Sequence, residues 1–166
     1  MNRPQSDLES LRVDLHQVYD GNPWHGSSIT KVLEGVDADT AAFRSIPNAH
    51  TIWELVLHMT SWTREVASRV AGADAMDPVD WPEPSFAGGA AAWEAAKRDL
   101  GAAHAEMEQK VAALQPQDLL RWVGDQRDPA LGSGLPVGTV IRGLLQHHTY
   151  HQGQIAMLRR AAETRG

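Results

Sequence analysis

The chain has 166 residues, the length of one domain of ordinary size, and we predict a single domain over residues 1–166. It carries 15 lysines and arginines against 21 aspartates and glutamates. The net charge of -6 argues against a protein that binds the phosphate backbone of nucleic acids. Cysteine is absent, which excludes disulfides, thiolate metal sites and a cysteine nucleophile.

The cellular location is predicted from the same composition. No apolar run approaches the roughly 20 residues that a membrane span needs, and the first residues lack the apolar core of a signal peptide. A chain without cysteine is compatible with a reducing compartment. We therefore expect a cytoplasmic protein with neither a membrane nor a nucleic acid as its partner.

The first predicted helix begins near the N-terminus and ends before residues 21–23. Ser6 and Glu9 have the spacing of a capping box, which places the start of the helix at Ser6. Apolar residues then recur at helical spacing up to Val18. A short helical stretch is predicted over residues 27–34, and a polar connector over residues 36–48.

The second long helix has the clearest signal. Thr51 and Glu54 form another capping box, and Gly72 is a stop signal. Between them runs one apolar stripe, made of Ile52, Leu55, Val56, Met59, Trp62, Val66 and Val70. Residues 72–89 contain three prolines and are longer than a simple turn requires, so they predict a crossover along the side of a bundle.

Two further long helices complete the pattern. We predict a third helix over residues 90–114, a second long connector over 115–136, and a fourth helix over 137–163. No strand-like alternation competes with this interpretation. The sequence therefore predicts an all-α fold, a four-helix bundle with two long crossover connections.

Histidines cluster on the fourth predicted helix. His147 and His151 are four residues apart and share a face, while His148 and His151 are three apart and also do so. Either pair could share a metal ion, so the spacing leaves both open. His58, midway along the second long helix, is the natural third ligand. A zinc peptidase of the HExxH type is disfavoured because His148 stands where its glutamate would be.

Two segments carry a family resemblance. Residues 147–155 read HHTYHQGQI, residues 51–62 read TIWELVLHMTSW, and WHG stands at residues 24–26. Together they resemble the DinB/YfiT-like superfamily of small four-helix metalloproteins. The resemblance implies an up-down-down-up bundle that forms a homodimer. It also implies a divalent metal with water in its remaining positions, held by His58, His147 and His151 in preference to His148.

The resemblance also suggests a chemistry. Some relatives are transferases or isomerases that use a low-molecular-weight thiol such as bacillithiol, mycothiol or glutathione. Three neutral imidazoles leave a metal its full charge, which lowers the pKa of bound water or thiol. We expect zinc or nickel among the metals that suit this ligand set, an external thiol cosubstrate, and a small-molecule substrate. The alternatives are a metal-dependent hydrolase and a non-catalytic metal-binding stress or interaction protein.

Five further residues are candidates for the surroundings of the metal or for a substrate pocket. Glu54 could orient His58, although its place in the capping box is the stronger interpretation. Gln154 is expected to hydrogen-bond near the site, and Gly153 to allow a close approach of helices. The remaining candidates are His148, Trp62 and His25.

Overall fold

The structure, a computed structural model, describes residues 3–74, 77–123 and 134–164, with the backbone alone for residues 3–5. Its four long helices are α1 (Arg3–Asp20), α4 (Ile52–Val70), α5 (Gly89–Ala112) and α6 (Val137–Glu163). Two short helices are α2 (Ile29–Leu33) and α3 (Ala38–Ala42). Over the described ranges there is no strand, and only Trp122 and Pro136 form an isolated bridge. The predicted all-α fold is confirmed.

The helix bounds correct two details of the prediction. α1 begins at Arg3, so Ser6 lies within the helix and does not cap it. Proline is tolerated in a first helical turn, which lets the helix include Pro4. α3 lies inside the predicted polar connector, where the side chain of Asp37 accepts a hydrogen bond from the N–H of Thr40 at 2.8 Å. Residues 124–133 of the second connector lie outside the described residues.

The start of α4 follows the prediction. The N–H of Glu54 donates to Thr51 Oγ1 at 3.2 Å, and the N–H of Thr51 donates to Glu54 Oε2 at 2.6 Å. Gly72 follows the end of the helix with a φ of 102°, a conformation that favours glycine. Both signals come from local chemistry, which is why sequence spacing predicts them.

The relative directions of the helices follow from two contacts between each pair of helices, one near each end. α4 runs antiparallel to α6 and parallel to α5, and α1 runs antiparallel to α5. The up-down-down-up order stays a prediction, with which these directions agree. Between α4 and α6, Leu55 lies near Leu158 and Val66 near Gly143. Between α4 and α5, Trp53 packs against Trp93 and Arg64 pairs with Asp99. Between α1 and α5, Tyr19 stacks on His104 and Arg12 donates to the carbonyl of Ala112.

Two apolar clusters form the core and leave a polar layer between them. α6 contributes residues 137–144 to one cluster and residues 155 and 158 to the other. α4 contributes residues 66–70 to the first and residues 52–59 to the second. The polar layer falls where residues 147–151 of α6 meet the middle of α4. No helix in the described ranges has the length and apolar character needed to cross a bilayer.

Candidate metal centre

Three histidines from two helices converge in the polar layer. Nε2 of His147 lies 2.8 Å from Nε2 of His58 and 3.0 Å from Nε2 of His151. One ligand nitrogen of each residue lies within 4.8 Å of the other two. Among the described histidines, aspartates and glutamates, no other group of three meets this criterion. The structure thus brings together the residues that the family resemblance implied as ligands.

The orientation of His58 is set by a residue of the crossover. Its Nδ1 lies 2.6 Å from the backbone carbonyl oxygen of Asp80. A carbonyl only accepts, so Nδ1 carries the proton and Nε2 presents a lone pair to the cluster. The Asp80 carboxylate is itself held, because Trp62 donates its Nε1–H to Oδ1 at 2.7 Å. Ser61 also donates to the Val79 carbonyl at 2.7 Å, which fixes this part of the crossover on α4.

His151 has an equivalent partner on its own helix. Its Nδ1 donates to Oε1 of Gln154 at 2.6 Å, which leaves a lone pair on Nε2. Metal-binding histidines commonly donate their other ring N–H to an oxygen in this way. Gln154 therefore lies where its predicted role near the site requires it to be.

The environment keeps the histidines of α6 uncharged. Burial, together with the neighbouring His151 and His58, lowers the pKa of His147 to about 3. Burial also lowers the pKa of His151. Neutral imidazole is the form that binds a metal. A single N–H on His147 cannot point at the Nε2 lone pairs of both His58 and His151. A cation accepts one lone pair from each of the three rings, so this donor set fits a divalent metal.

His148 faces away from the cluster. Its Nε2 donates to Oγ1 of Thr63 at 2.9 Å, and the Thr63 hydroxyl donates to the Met59 carbonyl at 2.6 Å. The residue is 0 % exposed, and burial holds its pKa well below the usual value. The geometry therefore places His147 in the cluster and gives His148 a packed position behind it.

Comparison with known proteins identifies the family. A family model described as the DinB superfamily matches residues 24–155, most of the chain and all three clustered histidines. The chain belongs to the DinB superfamily. Neither the curated proteins nor the solved structures gave a significant match.

Two predicted neighbours lie outside the centre of this DinB protein. The Glu54 carboxylate is occupied by the Thr51 backbone N–H and by the Arg44 guanidinium at 2.8 Å, so the suggestion that it orients His58 is wrong. The N-terminal position of Glu54 places it in the helix cap, where its carboxylate meets the cap N–H. His25 lies instead in a separate cleft that Trp24 and Tyr150 also line.

Two residues of the DinB centre were not predicted from the sequence. Asp80 supplies the acceptor for His58, and Trp81 stacks on the His58 ring with 4.1 Å between ring centroids. The other face of Trp81 stacks on His50, at 3.4 Å. Both missed residues lie in an irregular segment, where no periodicity indicates which side chains reach the bundle. Trp62, which was predicted, lines a cleft together with His147.

Proposed function

We propose that His58, His147 and His151 hold a divalent metal ion and that the protein joins an external low-molecular-weight thiol, through its sulfur, to an electrophilic small molecule. The observation that carries the proposal is the convergence of three Nε2 atoms, two of them with lone pairs fixed by hydrogen bonds at Nδ1. Members of the superfamily often bind a metal.

The number of ligands supports a reactive centre over a structural one. Structural sites for zinc are closed by four protein ligands, whereas catalytic sites keep a position for water or substrate. In the described ranges the cluster has three protein donors and no fourth. The Glu54 carboxylate, the nearest suggestion for a hydrolytic base, is held in the helix cap. Attack by an external thiol on an electrophile therefore has more support than hydrolysis.

The chain's residues divide the work of the reaction. His58 and His151 are held by Asp80 and Gln154, so their lone pairs are oriented in advance. A bound divalent metal supplies positive charge that lowers the pKa of a thiol. Because the chain has no cysteine, the thiol comes from outside. The thiol loses its proton to solvent, its sulfur bonds to the electrophilic carbon, and the leaving group departs with its electron pair.

Metal content is the first test. We expect untagged protein, purified without chelator, to contain near-stoichiometric metal by elemental analysis, with zinc and nickel as the expected ions. A His58→Ala/His151→Ala variant should lose it. A His16→Ala/His25→Ala variant, which removes two exposed histidines outside the cluster, should keep it. Absence of metal even after reconstitution with zinc or nickel would overturn the proposal.

Thiol transfer is the second test. Metal-loaded protein is mixed with 1-chloro-2,4-dinitrobenzene and, in turn, glutathione, mycothiol and bacillithiol, and thioether formation is followed by absorbance. We expect turnover with at least one thiol that the double-histidine variant lacks. Metal binding without turnover across a wider set of electrophiles would favour the non-catalytic alternative. The homodimer, the small-molecule substrate and the cytoplasmic location remain predictions.

A further inference from the structure

A cleft of about 480 Å³ lies directly beside the three-histidine cluster, and His151 is part of its wall. Its sides come from four parts of the chain, which are the segment before α4, Leu55 of α4, Trp81 of the crossover, and the face of α6 from Tyr150 to Leu158. Clefts that bind small molecules have volumes of roughly 300–1,000 Å³. The cleft therefore has room for a compact organic molecule next to one of the candidate ligands.

The lining of this cleft is apolar. No lysine, arginine, aspartate or glutamate is among the described residues that form it. Leu55 and Leu158 are buried within the lining, while Ile46 and Met157 are exposed to solvent. Apolar side chains that line a cleft give an apolar ligand a surface that it can bury. By contrast, two arginines, Arg69 and Arg142, line the cleft beside His147.

Aromatic rings make one side of the cleft rigid. Trp81 is held between the parallel rings of His50 and His58, with interplanar angles of 1° and 10°. Trp81 also meets the His151 ring edge to face, and Tyr150 packs against His151 with 5.0 Å between centroids. Because these rings are already ordered, little conformational entropy is lost when a flat molecule packs against them. Gln154, whose Oε1 accepts from His151, also lines the cleft, and it is uncharged.

We propose that this cleft binds the carbon skeleton of the electrophilic substrate, and that the skeleton is uncharged and apolar, with an aromatic ring as its best occupant. The inference rests on the proposed function, because it assigns the electrophile to the His151 side of the same centre. Within the described residues, the lining has no lysine, arginine, aspartate or glutamate, which favours an uncharged substrate. Its aromatic rings favour a substrate that is itself aromatic.

The test uses N-phenyl-1-naphthylamine, a neutral aromatic probe whose fluorescence rises in apolar surroundings. We expect saturable binding of one probe per chain. Met157→Lys should raise the Kd by about 10-fold or more, because it brings an ammonium group to an apolar cleft. The matched control is Leu120→Lys, since Leu120 is 69 % exposed and Met157 66 %, and Leu120 does not line the cleft. An Ile46→Lys variant repeats the test from the opposite side.

Metal loading separates this inference from the proposed function. Nickel at the three histidines should quench the bound probe, whereas zinc should not, because the cleft adjoins the cluster. Equal Kd values for Met157→Lys, Ile46→Lys and Leu120→Lys, or no probe binding, would overturn the inference while leaving a metal-binding protein intact. Probe binding that is sensitive to Met157→Lys in a protein that takes up no metal would support the apolar site and refute the proposed function.

Discussion

Replacing Thr63 by valine tests the position that the structure gives to His148. The change keeps the size and β-branching of the side chain but removes the hydroxyl that accepts the His148 Nε2–H at 2.9 Å. Because His148 is fully buried and its Nδ1 makes no hydrogen bond within the described part of the chain, the Nε2–H is left without a partner. An unsatisfied buried donor costs about 1–3 kcal/mol.

Thr60→Val is the matched control. Thr60 is also buried on α4, and its hydroxyl donates to the carbonyl four residues earlier, as that of Thr63 does, but it has no histidine partner. The difference between the two variants therefore isolates the bond to His148. For a chain of this length about 1 kcal/mol lowers Tm by roughly 2–4 °C. Thr63→Val should thus melt about 2–12 °C below Thr60→Val.

The assays are thermal unfolding and urea unfolding of the metal-free protein, both followed by circular dichroism, so that metal affinity does not enter the comparison. A His148→Leu background should remove the difference between the two threonine variants, which completes a double-mutant cycle. Equal free energies of unfolding for Thr63→Val and Thr60→Val in the parent chain would refute the hydrogen bond between His148 and Thr63. Metal content should stay unchanged in Thr63→Val, because His148 lies outside the cluster.

Three other outcomes follow from the structure. Gln154→Leu should weaken metal affinity about 10-fold or more, because His151 loses its acceptor. A competition titration measures this, with Gln146→Leu as control, and equal metal affinities of the two variants would contradict it. Gly153→Ala should raise the free energy of unfolding by about 0.5–1 kcal/mol, since a Cβ at this position meets open space. An unchanged or lower free energy of unfolding in urea would contradict that. Burial lowers the pKa of His147 and of His104, so the unfolded state binds protons first and the stability of metal-free protein should fall as pH drops from about 6.5 toward 5. A flat profile in that window would contradict the assignment.

Local chemistry explains which parts of the fold could be predicted. The fourth predicted helix matches α6 because its apolar stripe is long and Pro136 precedes it. The short helix α3 was missed because five residues carry no periodicity, although Asp37 and Thr40 have the spacing of a cap. The expected close approach at Gly153 is wrong, because a Cβ at this position of α6 would have no neighbouring atom within 4 Å.

The candidate centre shows where sequence patterns stop being informative. Periodicity leaves both His147 and His148 open as ligands, because each shares a helix face with His151. What separates them is the position of α4, which places His58 against His147 and Thr63 against His148. Asp80 and Trp81 reach the centre through the path of an irregular segment. Contacts of that kind depend on the whole fold and have no short-range pattern.

The location of the centre between two apolar clusters bears on how it works. Each cluster packs α4 against α6 on one side of the histidines, so the two helices are held in register on both sides of the polar layer. His58 and His147 are therefore placed by packing that does not depend on a metal. A preformed site loses little free energy to reorganisation when its ligand binds. The same rigidity holds three histidine nitrogens close together, an arrangement that apolar packing alone does not require and that a cation would satisfy.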